Sequence, residues 1–127
     1  MSAINNSQRE AVSPDDAAAS QVKYVGIRTG NGCEVWVSRG DSIRRLNPRF
    51  DLRHHSPTGF EWGYGGSGPA QLALALLADW SGDDGFALQH YQHFKFKLIA
   101  GLPSREWELT GAHIREVVAA IVAPKRA

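Results

Sequence analysis

Two runs near the start of the chain concentrate β-forming side chains. Residues 22–28 (Val-Lys-Tyr-Val-Gly-Ile-Arg) and 33–38 (Cys-Glu-Val-Trp-Val-Ser) are rich in valine, isoleucine and aromatics, which fit a pleated surface. Between them Thr29, Gly30, Asn31 and Gly32 tolerate positive φ, which predicts a hairpin. In the second run Cys33, Val35 and Val37 share one face, and Glu34, Trp36 and Ser38 share the other. A tryptophan on that mixed face implies that it too is covered, by the preceding segment or by a partner. Residues 39–55 follow neither period, and Pro48 excludes a long helix through them. Leu46, Phe50 and Leu52 are their candidate core contacts. Residues 60–62 (Phe-Glu-Trp) have the pattern of a short strand.

The helical period takes over at Gly68-Pro69, where a proline in the first turn forfeits no needed hydrogen bond. The first helix runs to about Trp80 and ends at Gly82. Leu72, Ala73, Leu76, Leu77 and Trp80 form its main stripe. Leu74 and Ala75 close most of the opposite side, leaving Gln71 as the polar exception, so this helix is expected to be enclosed. Asp83 or Asp84 caps a second helix that runs to Ala100 and stops at Gly101-Leu102-Pro103. Its stripe is Ala87, Leu88, Tyr91, Phe94 and Leu98. Residues 105–109 alternate like an edge strand. Thr110 caps a third helix, with Leu109 and Ile114 at the spacing of a hydrophobic staple. Ile114, Val117, Val118, Ile121 and Val122 are its buried stripe, and Pro124 stops it. The expected fold is α+β: a small antiparallel sheet, made of the N-terminal hairpin plus one or two short strands, packed on three helices with the first at their centre.

Composition refines this picture. Residues 1–20 carry Ser, Asn, Asp and Ala with few large apolar groups. They bury too little to offset the entropy of ordering, so they read as a disordered tail before a single domain over 21–127. The 127 residues hold 43% apolar side chains, enough for one core. A net charge of +1 gives no general pull toward nucleic acid or an anionic membrane. No run reaches the length of a membrane span, residues 1–20 lack the apolar core of a secretory signal, and the lone Cys33 fits a reducing compartment. The expectation is a cytoplasmic protein that does not engage a membrane.

Three stretches together carry a likeness: Tyr24-x-Gly26-x-Arg28; the block 56–79 (Ser-Pro-Thr-Gly-Phe-Glu-Trp-Gly-Tyr-Gly-Gly-Ser-Gly-Pro-Ala-Gln-Leu-Ala-Leu-Ala-Leu-Leu-Ala-Asp); and Tyr91-x-x-Phe94-Lys95 with Trp107-x-Leu109. The chain resembles a family of small bacterial proteins of unknown function, domain of unknown function 6166, over roughly residues 22–122. The resemblance transfers no activity and no catalytic residue. It implies genes scattered through chromosomes, plasmids and phages, and so favours interaction proteins over metabolic enzymes.

The residues themselves offer several candidate sites. Arg39, Arg44, Arg45, Arg49 and Arg53, followed by His54 and His55, outnumber Asp41 and Asp51 and form the strongest local charge. They suit phosphate or an acidic protein patch; the alternative is a solvated loop paired internally to Glu61 and Asp79. Gly65, Gly66, Ser67 and Gly68 lead into a helix and suggest an anion cradle. However, Pro69 removes a donor, and the lysine of a phosphate-binding loop is missing. His90 and His93, with Phe86 and Lys97, share a face of the second helix. Two histidines at that spacing need a third metal ligand, which nothing dictates, so no metal and no cofactor is expected. Trp36, Phe86 and Phe96 fall outside the main stripes and mark an interface or a second buried face. His55, Ser56 and Glu61 are the nearest approach to a hydrolytic set, but sequence adjacency is not geometry.

The leading expectation is a non-enzymatic interaction module that binds a host protein or protein–nucleic acid complex. The resemblance adds the narrower idea of a mobile-element inhibitor of a defence complex, of the anti-CRISPR kind. Direct nucleic-acid binding through residues 39–55, and an anion-binding protein or enzyme using the glycine loop, are the alternatives. Homodimerisation through the surplus aromatics is compatible with each.

Overall fold

A computed structural model describes residues 21–123. The order is β1 (Lys23–Thr29), β2 (Gly32–Arg39), β3 (Ser42–Arg45), α1 (Ser67–Ser81), α2 (Asp84–Lys97), a 3-10 turn (Ile99–Gly101), β4 (Glu106–Thr110) and α3 (Gly111–Val122). The four strands form one antiparallel sheet in the order β3-β2-β1-β4. This is an α+β fold of the expected kind, with β4 supplying the edge strand expected at 105–109. The expected tail over 1–20 and the stop at Pro124 lie outside the described residues.

Both hairpins close on two-residue turns. Thr29 pairs Gly32 across Gly30-Asn31, where the Thr29 hydroxyl accepts from the Asn31 N–H at 3.0 Å. Arg39 pairs Ser42 across Gly40-Asp41, and Gly40 takes a left-handed φ of 57°. The second hairpin corrects the reading of 39–55 as irregular throughout. All four residues of β3 are exposed, so hydrophobic alternation could not reveal it. The backbone ladder to β2 holds it instead. Residues 60–62, by contrast, form no strand.

The sheet's inner face carries Tyr24, Val35, Val37, Trp107 and Leu109, all buried. Gly26 lies among them because the Trp107 ring crosses its Cα. A methyl group there would overlap the indole, and that indole meets Trp62 edge-on with centroids 5.3 Å apart. Helix α1 fills the centre: residues 68 to 78 are all buried, as its unbroken apolar surface requires. Gly82 ends it at φ 68°, its N–H bonding the Ala78 carbonyl at 2.9 Å. Helix α2 packs along α1 and also meets α3. Asp83 caps it by accepting from the Phe86 N–H, and Thr110 caps α3 by accepting from the His113 N–H. Helix α2 stops at Lys97, not Ala100, because Leu98 leaves helical geometry (φ −130°, ψ −54°) and a 3-10 turn follows. Its buried residues are Ala87, Tyr91, Phe94 and Lys95, with Leu88 and Leu98 only partly covered.

Candidate interaction surface

The arginine segment is the first place to look, and its charges are largely spent within the fold. Asp79, in the last turns of α1, accepts from the Tyr24 hydroxyl (2.6 Å), Arg39 Nη1 (2.9 Å) and Arg44 Nη2 (2.6 Å). Arg39 also donates to the Asp79 carbonyl at 3.0 Å. Burial alone would raise the Asp79 carboxyl; the Arg44 and Tyr24 hydrogen bonds and the Arg39 charge outweigh it, holding the group below its usual range. Burial, then Asp79, push the Tyr24 phenol far up. Arg49, in left-handed conformation at φ 58°, bridges Asp51 (3.0 Å) and Asp84 (2.8 Å). Its hydrogen bonds hold both carboxyls low. Arg44, Arg49, Asp51 and Asp79 line a cleft of about 490 Å³ with Leu46, Asn47 and Ala75. Within it each cation already faces a carboxylate. Arg45 pairs Glu34 at 3.4 Å and lies over the Trp36 ring. Asp79 is therefore the internal partner that the sequence suggested. Glu61 is not: it takes Arg28 of β1 at 3.0 Å. Among the described residues the Arg53 guanidinium reaches only the Leu52 carbonyl, and His54 lies against Phe50 with centroids 4.3 Å apart.

The rest of this segment is held by one side chain. Gln71 is fully buried in α1. Its amide nitrogen donates to the Pro48 and Arg53 carbonyls (2.7 and 2.9 Å), and its oxygen accepts from the His55 and Ser56 N–H groups (2.7 and 3.3 Å). The one polar side chain within the buried stretch 68–78 of α1 thus satisfies four backbone groups of a loop that forms no element of its own. His55 Nε2 meets the Tyr91 hydroxyl at 2.6 Å. Burial, then the charges of Arg53 and Lys95, lower its pKa, so the ring is neutral at pH 7. The Ser56 hydroxyl faces Thr58 at 3.5 Å. His55, Ser56 and Glu61 therefore have separate partners and do not assemble a nucleophile with its base. Burial, followed by the nearby Glu61, raises the Cys33 thiol, which keeps it protonated and a poor nucleophile.

The glycine loop has a different character. Gly68 is glycine because the Glu61 side chain lies where a methyl group would go, 2.5 Å from its Cβ. The approach to the first turn of α1 from that side is thus occupied by an acidic residue. On the other side Gly65 and Gly66 leave room for two rings: Phe96 lies against Gly65 and Tyr64 against Gly66. Both are solvent-exposed, Tyr64 at 52% and Phe96 at 65%. The ammonium of Lys95 rests on the Phe96 ring, 4.3 Å from its centroid. Lys97, one turn end away, is exposed. The fold has joined two separately suspected features, the glycine loop and the outer side of α2, into one surface. Of the other interface candidates, Trp36 and Phe86 are half-buried, Phe86 packs on His90 with centroids 4.6 Å apart, and His93 is exposed. Among the described residues no group of three or more His, Cys, Asp or Glu gathers as metal ligands.

Asp79, Gln71 and Lys95 were absent from the sequence-based site list. Gln71 did carry a signal, as the polar exception on an apolar helix. Lys95 carried one too, since it lies four residues after Tyr91 and so on the stripe facing the core.

These features define a small α+β protein with densely paired internal charge and a separate exposed aromatic surface. The chain belongs to the family of unknown function DUF6166, whose model matches residues 24–120. No curated protein and no solved structure matches it. No helix among the described residues is long and apolar enough to cross a membrane.

Proposed function

We propose that the protein is a non-enzymatic interaction module that docks a macromolecular partner through the surface around Tyr64, Lys95, Phe96 and Lys97. The observation that carries this reading is the pair of rings flanking the glycine loop, both more than half exposed. Large exposed apolar groups set close together mark recognition surfaces, and aromatics dominate interface energetics. Support also comes from the arginine segment, where Arg39, Arg44, Arg45 and Arg49 are each engaged by a carboxylate of the same chain. An external phosphate or carboxylate would have to displace those partners. The DUF6166 resemblance suggests a bacterial defence complex as the first target to try.

Photo-crosslinking in the native host tests this reading. A crosslinking residue at position 96 should yield a discrete adduct that the same residue at the exposed turn position Asn31 does not. Identical adduct patterns at both positions, or none at 96, would reject the surface.

A further inference from the structure

The sheet has a second face that the described fold leaves open. Along β1, β2 and β4 the buried positions are Tyr24, Gly26, Val35, Val37, Trp107 and Leu109, and the positions between them are half-buried or exposed. A solvated face of an antiparallel sheet ordinarily carries polar side chains. This one carries Val25, Ile27 and Trp36 on the two central strands, with Ile43, 69% exposed, on β3. A shallow hollow of about 330 Å³ lies over β1 and β4 between Val25, Ile27, Glu106 and Glu108. Charge of opposite sign stands at the two edges: Glu106 and Glu108 on β4, Arg45 on β3. Arg45 and Glu108 are each more than half exposed, and their partners on the same face, Glu34 and Lys23, hold them at 3.4 Å. Exposed pairs of this kind contribute little, and a guanidinium keeps further donors for a second carboxylate. The registers set four of these side chains in one row across the sheet: Arg45, Trp36, Val25 and Glu108. The row runs from cation through aromatic and aliphatic to anion, so its reverse is its complement.

We propose that this open face is the interface of a homodimer, in which two copies stack sheet on sheet about a two-fold axis that runs along the strands between β1 and β2. Such an axis sets β4 of one copy over β3 of the other. Arg45 then meets the partner's Glu108, and Trp36 packs on the partner's Val25. An axis across the strands would instead set the acidic β4 edges on each other, so the charge pattern selects the first arrangement. Stacked sheets keep their strands within about 30° of each other, which preserves this row. A two-fold interface uses the same patch on both copies, and this patch is complementary to itself. The segment 1–20 matches it less well. Its large apolar residues are Met1, Ile4 and Val12, and its Glu10, Asp15 and Asp16 outnumber Arg9, a poor complement to the acidic β4 edge. The proposed interface shares no residue with the surface around Tyr64 and Phe96, so its failure would leave the docking reading to its own crosslinking test.

Analytical ultracentrifugation of the full-length protein tests the dimer. The expected result is a concentration-dependent dimer. Arg45→Glu and Glu108→Arg each set like charges against each other in a homodimer, and each should weaken it about tenfold or more. An equimolar mixture of the two variants should recover the wild-type affinity, because every edge contact then joins opposite charges. That recovery separates a lost interface from a lost fold. Phe96→Ser should leave the dimer unchanged. A protein that stays monomeric up to about 1 mM, or a mixture that gains nothing over either variant alone, would overturn the proposal. So would a dimer weakened by Phe96→Ser and untouched by the edge charges, which would place self-association on the glycine loop. A photo-crosslinking residue at position 27 should couple to a second copy; coupling to residues 1–20 of its own chain would give the face to that segment and overturn the dimer.

Discussion

The arginine segment and the glycine-loop surface differ in how they handle positive charge. Around Asp79 and Arg49 several cations are written close together in the sequence, yet each meets a carboxylate of the same chain. At Lys95 a single cation, inconspicuous in the sequence, has a buried stem and an ammonium that rests on the Phe96 ring without a carboxylate among the described residues. Local charge density therefore misleads about function here. The crowded arginines tie a loop and a short strand to α1, while the solitary lysine is left over. Removing charge should thus cost stability in the first region and little in the second.

The largest effect should come from the clamp that positions the arginine segment. Gln71→Ala would strand four backbone groups at Pro48, Arg53, His55 and Ser56. Buried unsatisfied groups cost about 1–3 kcal/mol each, and water entering the gap will recover part of it, so a loss of about 3 kcal/mol or more is expected in denaturant unfolding. A loss under about 1 kcal/mol would show that the segment holds its path without α1, and that its charge pairs are consequences of the fold, not constraints on it.

Asp79→Asn comes next. It keeps the shape but leaves Arg39 and Arg44 facing each other without an anion. Removing one partner of a buried pair costs about 3–5 kcal/mol; Arg39 and Arg44 are each more than a third exposed, so solvent screening reduces this to about 2 kcal/mol. The pH dependence has a definite sign. The folded-state carboxyl titrates below its unfolded value of about 3.9. Its contribution is therefore complete above that value and is lost as pH falls through the folded one. Wild-type melting temperature should drop across the acid range below about pH 4, with a shallower slope in Asp79→Asn. The variant should also gain a melting-temperature rise with sulfate that the wild type lacks, because its two arginines would then be free. Equal sulfate responses would mean that Asp79 does not neutralise them.

How much of this was legible beforehand depended on whether the signal was local. The caps at Asp83 and Thr110, the left-handed Gly82 and the first hairpin were readable because each turns on one or two residue types at fixed offsets. The enclosed α1 was readable because its apolar positions leave no polar face. Strand β3 was not, since Ser42, Ile43, Arg44 and Arg45 are all exposed and only backbone pairing to β2 orders them. The pairing of Arg39 and Arg44 with Asp79 spans 35 to 40 residues. It was foreseen only as one of two options, and its companion Glu61 went to Arg28 instead. Lys95 was overlooked because a lysine counts as surface in composition, although its place on the Tyr91 stripe pointed inward.

Lys95→Met should be close to neutral. Methionine keeps the buried unbranched stem while deleting the charge that rests on the Phe96 ring. The ammonium reaches solvent from a buried stem, so a change within about 0.5 kcal/mol is expected in denaturant unfolding. A measured loss above about 1 kcal/mol would erase the contrast with Asp79, because Lys95 would then have a structural partner like every paired arginine.

The smallest effect should be at Phe96 itself. Its ring is 65% exposed and lies on Gly65 at the rim of the domain, so Phe96→Ser removes little buried area. Exposed substitutions away from special features usually stay within about 0.5 kcal/mol, and that is the range expected in thermal or denaturant unfolding. Such neutrality is informative because a large ring left exposed without contributing to folding costs the monomer solvation without return. If Phe96→Ser instead lost about 2 kcal/mol, as a buried aromatic would, Lys95 and Phe96 would belong to the core. The glycine-loop surface would then be one more region whose conspicuous residues serve the fold.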